Sequence, residues 1–162
     1  MTARSKGRSL ALQLLYQNEV SGDSPADTLE QVASWPEKLS ARQLKYARGL
    51  FAGVLRRRAE IDDMLRPLVA HYRLERLNTV DLCIMRIAVY EMLYGGDVPP
   101  KVAINEAIEL ARDFSSEDAP SFVNGVLDAF YHRHADAIPQ APRPDRGEEN
   151  DSDPPQPSDS HG

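Results

Sequence analysis

Three observations predict an all-α fold. Apolar residues recur at helical spacing up to about residue 134, no alternating strand pattern of useful length breaks in, and no Asn-Gly or Asp-Gly pair joins two such runs. A chain of 162 residues and 18.1 kDa fits one domain, whose usual length is roughly 100 to 200 residues. The expected body is a compact bundle of roughly seven helices joined by short connectors.

The first helix is expected from about Ser5 to Val20, with Leu10, Ala11, Leu14 and Leu15 as its apolar stripe and SGDSP at 21 to 25 as its stop. A short second helix, Ala26 to Trp35, turns Leu29 and Val32 inward, and Pro36 ends it. Ser40 and Gln43 form a capping-box start for the third helix. Its inner face is Leu44, Ala47, Phe51, Val54 and Leu55, continuing through Ile61 and Leu65, with a break expected near Ala59. Gly49 and Gly53 lower helix propensity, by roughly 1 kcal/mol each against Ala, so another backbone is expected to pack closely there.

The stretch VDLCIMRIAVYEMLY, 80 to 94, is apolar nearly all the way round and reads as the central buried helix. Gly95-Gly96 stops it and Pro99-Pro100 starts the next, KVAINEAIELARDF, with Ile104, Ala107, Ile108 and Ala111 as its stripe. A last helix follows SSED at 115 to 118, placing Phe122, Val126, Ala129 and Phe130 on one face. Beyond this 1–134 domain, residues 135–162 carry seven acids, two arginines and half of the 12 prolines. With almost nothing to bury, that tail cannot offset its ordering entropy and is expected to be disordered.

Charge divides along the chain. The tail holds -5 of the formal -6, while the body has 18 acids and 17 bases. Within the body, the first 18 residues carry Arg4, Lys6 and Arg8 and no acid. No run of about 18 apolar residues offers a membrane span, and no apolar h-region marks a secretory signal, so a cytoplasmic protein is expected.

Catalytic patterns are missing. No dinucleotide, P-loop, nucleophile-elbow or zinc-deaminase spacing occurs. Cys83 is alone, inside an apolar stretch, and four histidines lack metal-site companions, so neither cofactor nor metal is expected. Glu106, Glu109 and Asp113 read as an acidic, solvated helix strip, and Asp62-Asp63 beside three arginines as a surface salt-bridge cluster. The protein reads as a binder without its own catalysis.

Arg4, Lys6 and Arg8, with Tyr16 further along the same helix, supply cations for phosphates and a ring for a base, as single-stranded RNA binding requires. Alone, this signal is weak. It strengthens when RIAVYEMLYGGDVPPKVAINEAIELARDF (86 to 114), FVNGVLD (122 to 128), RSLALQLLYQ (8 to 17) and RGLFAGVLRR (48 to 57) are taken together. This combination closely resembles the NusB family of transcription antitermination factors, from about Arg4 to His132.

The resemblance implies a bundle of two small sub-bundles that binds the boxA element of ribosomal RNA transcripts together with the small-subunit ribosomal protein NusE. The pair then joins other Nus factors on RNA polymerase and suppresses termination. It places RNA contacts at Arg4, Lys6, Arg8, Tyr16 and Asp118, and partner contacts at Glu75, Asp81 and Phe122. Ser5 and Gly7 interrupt the arm, Asp81 is shorter than the glutamate common at that place, and Pro120 and Ser121 replace more polar residues. Three phosphate contacts to a single strand imply a salt slope of only about -2, so binding should tighten with the partner. Asn105, Asn124 and Gly125 are expected to hold helices together. Two other readings stand beside this one: a protein-only scaffold or homodimer, and the RNA-targeting domain of a ribosomal RNA methyltransferase.

Overall fold

The computed structural model describes residues 2–35 and 38–139. Helix α1 spans Ala3–Ser21; Thr2 caps it, its hydroxyl accepting from the Ser5 N–H at 3.0 Å. It stops at Gly22, whose φ of 73° is left-handed and whose N–H bonds back to the Asn18 carbonyl. Helix α2 covers only Pro25–Glu30, capped by Ser24, and continues as a 3-10 turn over Gln31–Ser34. The expected second helix is thus split between two windings.

The Ser40–Gln43 capping box opens α3, Ala41–Leu65, which runs 25 residues without the expected break near Ala59. Ala47, Phe51, Val54, Ile61 and Leu65 hold one helical period throughout, so the buried face never loses register. Two 3-10 turns, Arg66–Val69 and Leu74–Arg76, lead to α4 (Thr79–Tyr94), which Asn78 caps by accepting from the N–H groups of Val80 and Asp81. Helix α5 is Pro100–Phe114 and α6 is Ala119–Arg133. Among the described residues the bundle therefore holds six α-helices and four 3-10 turns.

Helix α4 is the axis of the fold, touching α1, α3, α5 and α6. On one side α1 packs along α3 with α2 against α1; on the other, α5 and α6 pair. These are two sub-bundles sharing one core, in which Leu14, Phe51, Ile84, Met85, Leu127 and Phe130 are closed to solvent. The inner face of α6 is Val123, Val126, Leu127 and Phe130, rotated from the expected one, which leaves Phe122 half-buried and Ala129 exposed.

Several local expectations are corrected. At Gly53 the close neighbour is the Tyr90 ring, which a Cβ would overlap, and not another backbone; at Gly49 a Cβ would meet nothing within 4 Å. Asn105, Asn124 and Gly125 are exposed, and a Cβ on Gly125 also meets nothing within 4 Å, so these three do not join helices. The folded part passes residue 134: Ala135–Ala137 makes a 3-10 turn and Ile138 is buried. The rest of the expected tail, 140–162, lies outside the described residues.

Cys83 is buried, and burial pushes its thiol up to about 11. Among the described residues no helix is long and apolar enough to cross a membrane.

Candidate nucleic-acid interface

The three cations of the N-terminal arm go three ways. Arg8, on the inner side of α1, is 3% exposed. Its Nε donates to both carboxylate oxygens of Glu91 on α4, at 2.8 and 3.0 Å, and its Nη1 donates to Glu106 on α5 at 2.7 Å. The Tyr46 hydroxyl donates to Glu91, and the Ser5 hydroxyl to Glu106. Burial alone would lower the Arg8 pKa; the hydrogen bonds and charge of Glu91 outweigh it and raise it. The Tyr46 hydroxyl is pushed up, first by burial and then by the Glu91 charge.

Arg4 grips Asp97 through two bonds, of 3.2 and 2.8 Å, and its guanidinium lies 5.2 Å from the Tyr46 ring centre. That bond holds the Asp97 carboxyl below its ordinary range. Arg4 is still half exposed. Lys6 points the other way, because a two-residue step turns a helix by about 200°, and lines a groove with Tyr16.

The groove encloses about 920 Å³ between α1, Trp35 and Leu39, the start of α4 and the end of α5. Lys6, Gln13, Tyr16 and Val20 line it from α1, Trp35 and Leu39 from the segment after α2, Val80 from α4, and Asp113 and Phe114 from α5. Tyr16, Val20 and Phe114 are 42%, 64% and 40% exposed. The groove is largely apolar and is edged by a lysine and an aspartate.

Beyond the turn at 115 to 118 lies a second exposed corner. Phe122 meets Tyr72 edge-on, with ring centres 6.3 Å apart at 89°, and Tyr72 is 62% exposed. Asp118 occupies the N-cap of α6, exposed and without a side-chain bond to the helix. Glu75 is exposed and paired with Arg66, whose hydrogen bond lowers its pKa. Asp81 is different: it is buried, and it accepts a 2.6 Å bond from the Ser115 hydroxyl, tying the start of α4 to the end of α5. Among the described residues, no group of three or more His, Cys, Asp and Glu is arranged to hold a metal.

Residues 5–132 match the NusB family. The chain belongs to that family. Transcription antitermination protein NusB of Geobacter sulfurreducens is 43% identical over 128 residues, covering 79% of this chain and 93% of the relative. That of Myxococcus xanthus is 40% identical over 131 residues, covering 79% and 94%. The NusB structure from T. maritima superposes with a TM-score of 0.73 at 31% identity, over 88% of this chain and 95% of that one. A crystal structure of antitermination factors NusB and NusE in complex with dsRNA gives a TM-score of 0.72 at 27% identity, over 82% and 98%.

Within this NusB-family fold the structure brings Lys6 and Tyr16 into one groove and sets Phe122 and Asp118 at the start of α6, while Glu75 is exposed on the connector before α4 and paired with Arg66. It withdraws Arg8 and Asp81 into internal bonds, and both side chains are buried. Glu106 is likewise drawn inward by Arg8 and Ser5 and is not part of a solvated strip, whereas Glu109 stays outside, paired with Arg112. Asp62 is buried against Arg86, with bonds of 2.9 Å at both oxygens, and is not a surface partner of the 56–58 arginines.

Sequence reasoning missed Trp35, Tyr72 and Phe114. Each is an aromatic residue at the end of an element or in a connector, which periodicity does not rank. The inward turn of Arg8 had a signal: Arg8, Leu12 and Leu15 fall at i, i+4 and i+7, so the arginine sits on the apolar stripe.

Proposed function

We propose that this chain is an RNA-binding antitermination factor that holds the boxA element of ribosomal RNA transcripts together with NusE, and with it joins other Nus factors on RNA polymerase in the cytoplasm. The observation that carries this reading is the open groove of Lys6 and Tyr16 in a fold shared with a NusB that was crystallised with NusE and RNA. Relatives covering most of the chain carry the antitermination name, which agrees with a binder built around an internal ion-pair network.

In this reading Lys6 and the exposed edge of Arg4 meet phosphates, and Tyr16 offers a ring to a base. The Asp118 carboxylate repels phosphates and accepts from base amino groups, which turns a strand base-first at that corner. Phe122 with Tyr72 and the Glu75 carboxylate face NusE. Arg8 and Asp81 are positioning residues: one sets the arm, the other the rim of the groove. With Arg8 internal, the arm supplies two cations, for a salt slope near -1.4 in place of about -2.

The test is fluorescence anisotropy of a labelled boxA RNA and a scrambled control, titrated with the full chain, with and without NusE. Preference for boxA that strengthens on adding NusE is the expected result. Equal, weak binding of both RNAs under both conditions, together with a dimeric mass in light scattering, would favour a second copy of the chain as the occupant of the groove.

A further inference from the structure

The first eighteen residues of helix α3 carry charge of one sign only. Over residues 41–58 it holds Arg42, Lys45, Arg48, Arg56, Arg57 and Arg58 and no acid, in a chain whose formal net charge is -6. Arg57 pairs with Glu60 and Arg58 with Glu19; among the described residues Arg42, Lys45, Arg48 and Arg56 have no ion-pair partner. Arg42, Lys45 and Arg56 fall at i, i+3 and i+14, so they form a row along one exposed face together with Gly49 at i+7.

Arg42, Lys45 and Gly49 of that row line a cleft of about 720 Å³ between α3, the start of α1 and the end of α4, together with Tyr46, Tyr90 and Tyr94. The Tyr90 and Tyr94 rings are 5.5 Å apart, and the Arg57 guanidinium lies 4.6 Å from the Tyr94 ring centre. Gly49 is exposed at the cleft wall and leaves it open, with nothing within 4 Å of where a Cβ would stand. The acids nearby are already engaged: Glu91 by Arg8 and Tyr46, Asp97 by Arg4, and Glu60 by the Tyr94 hydroxyl at 2.6 Å.

We propose that this cleft is a second binding surface for single-stranded RNA, separate from the groove of Lys6 and Tyr16. Arg42 and Lys45 take phosphates, with Arg56 further along the same face, and a base lies against the tyrosines over Gly49. Unpaired cations beside accessible aromatic faces are the combination that binds single strands without sequence preference. Arg4 lines this cleft while Lys6 lines the groove, so an RNA that crosses the start of α1 can occupy both. Tethering makes the second contact intramolecular, and RNA length then adds affinity without a new sequence requirement.

The inference rests on the chain binding RNA, and the experiment separates the two. The full chain is titrated with RNAs of about 12 and about 30 nucleotides, each in a boxA and a scrambled version, at low salt. The boxA-to-scrambled ratio tests the first reading; the long-to-short ratio, in either sequence, tests the cleft. The longer RNA is expected to bind about tenfold more tightly or better. The double variant Arg42→Glu/Lys45→Glu is expected to abolish that gain and leave the short boxA RNA unaffected. Gly49→Leu, whose Cβ meets nothing within 4 Å and whose longer side chain occupies the cleft, is expected to do the same with an unchanged melting profile. The proposal is overturned by any of four results: no length gain in the wild type, a gain that survives both variants, an equal loss on the short RNA, or variants that alter only the binding of NusE.

Discussion

The Arg8 guanidinium and the Glu91 carboxylate face each other at 2.8 and 3.0 Å in the interior, one on α1 and the other on α4. Glu106 closes the network from α5, so one arginine fastens three helices across both sub-bundles. An ion pair at this depth contributes little against a well-packed apolar replacement, but losing one partner strands a buried charge.

Arg8→Ala should therefore lower unfolding free energy by about 3 to 5 kcal/mol, measured by urea denaturation, while Arg8→Met combined with Glu91→Leu should recover most of it. RNA affinity of the folded Arg8→Met/Glu91→Leu protein should match that of the wild type. A stable Arg8→Ala protein with weakened RNA binding would return this guanidinium to the interface.

Two glycines separate packing from mere helix position. A Cβ at Gly53 overlaps the Tyr90 ring, so Gly53→Ala must displace that ring, at about 1 to 3 kcal/mol. At the exposed Gly125 a Cβ meets nothing within 4 Å, so Gly125→Leu should leave stability unchanged or raise it by up to about 1 kcal/mol. Circular dichroism melts showing the opposite order would mean that α6 packs against something at Gly125.

Phe122 is half-buried and leans on an exposed Tyr72, so its outer edge is available without opening the core. Phe122→Asp should keep a cooperative melt, within about 2 kcal/mol of the wild type, and weaken NusE binding at least about tenfold; Tyr72→Ala should act in the same direction. Calorimetric titration with NusE checks both, and unaltered affinity in the two variants would remove this corner from the partner surface.

Alkaline pH should destabilise the fold. The Cys83 thiol is raised from 9.0 to about 11 by burial, and the Tyr46 hydroxyl is raised in the same sense. A weak acid whose folded value lies above its unfolded one contributes stability that is complete below the unfolded value and lost as pH rises. For Cys83 the window is therefore pH 9 to about 11, with a loss of roughly 2 to 3 kcal/mol. In urea titrations at both ends of that window, Cys83→Ala should gain on the wild type by this amount at the alkaline end. A constant difference between the two proteins would show that the thiol titrates as it does in the unfolded chain.

How much was legible in the sequence differs by residue. Helical periodicity located α1, α3, α4 and α5, and the Ser40–Gln43 capping box placed the start of α3 correctly, because those signals are local. The short second helix holds α geometry only over Pro25–Glu30 and then tightens into a 3-10 turn, a change of winding at a helix end that apolar spacing does not reveal. Arg8, Arg86 and Asp81 were the harder cases. A charged side chain on a helix reads as surface or site, and only tertiary contact reveals that Arg8 donates to Glu91, Arg86 to Asp62, and Ser115 to Asp81. The groove itself joins residues from four segments, of which only Lys6 and Tyr16 could be assigned to a ligand from the sequence.

The most direct test of the account is a nitrogen-15 NMR titration of the full chain, first with NusE and then with boxA RNA. Shifts should gather on the groove and corner, at Lys6, Tyr16, Asp118 and Phe122 with Tyr72, while the side-chain Nε–H of Arg8 stays where Glu91 holds it. Shifts absent from these residues, or led by the Arg8 Nε–H, would contradict it.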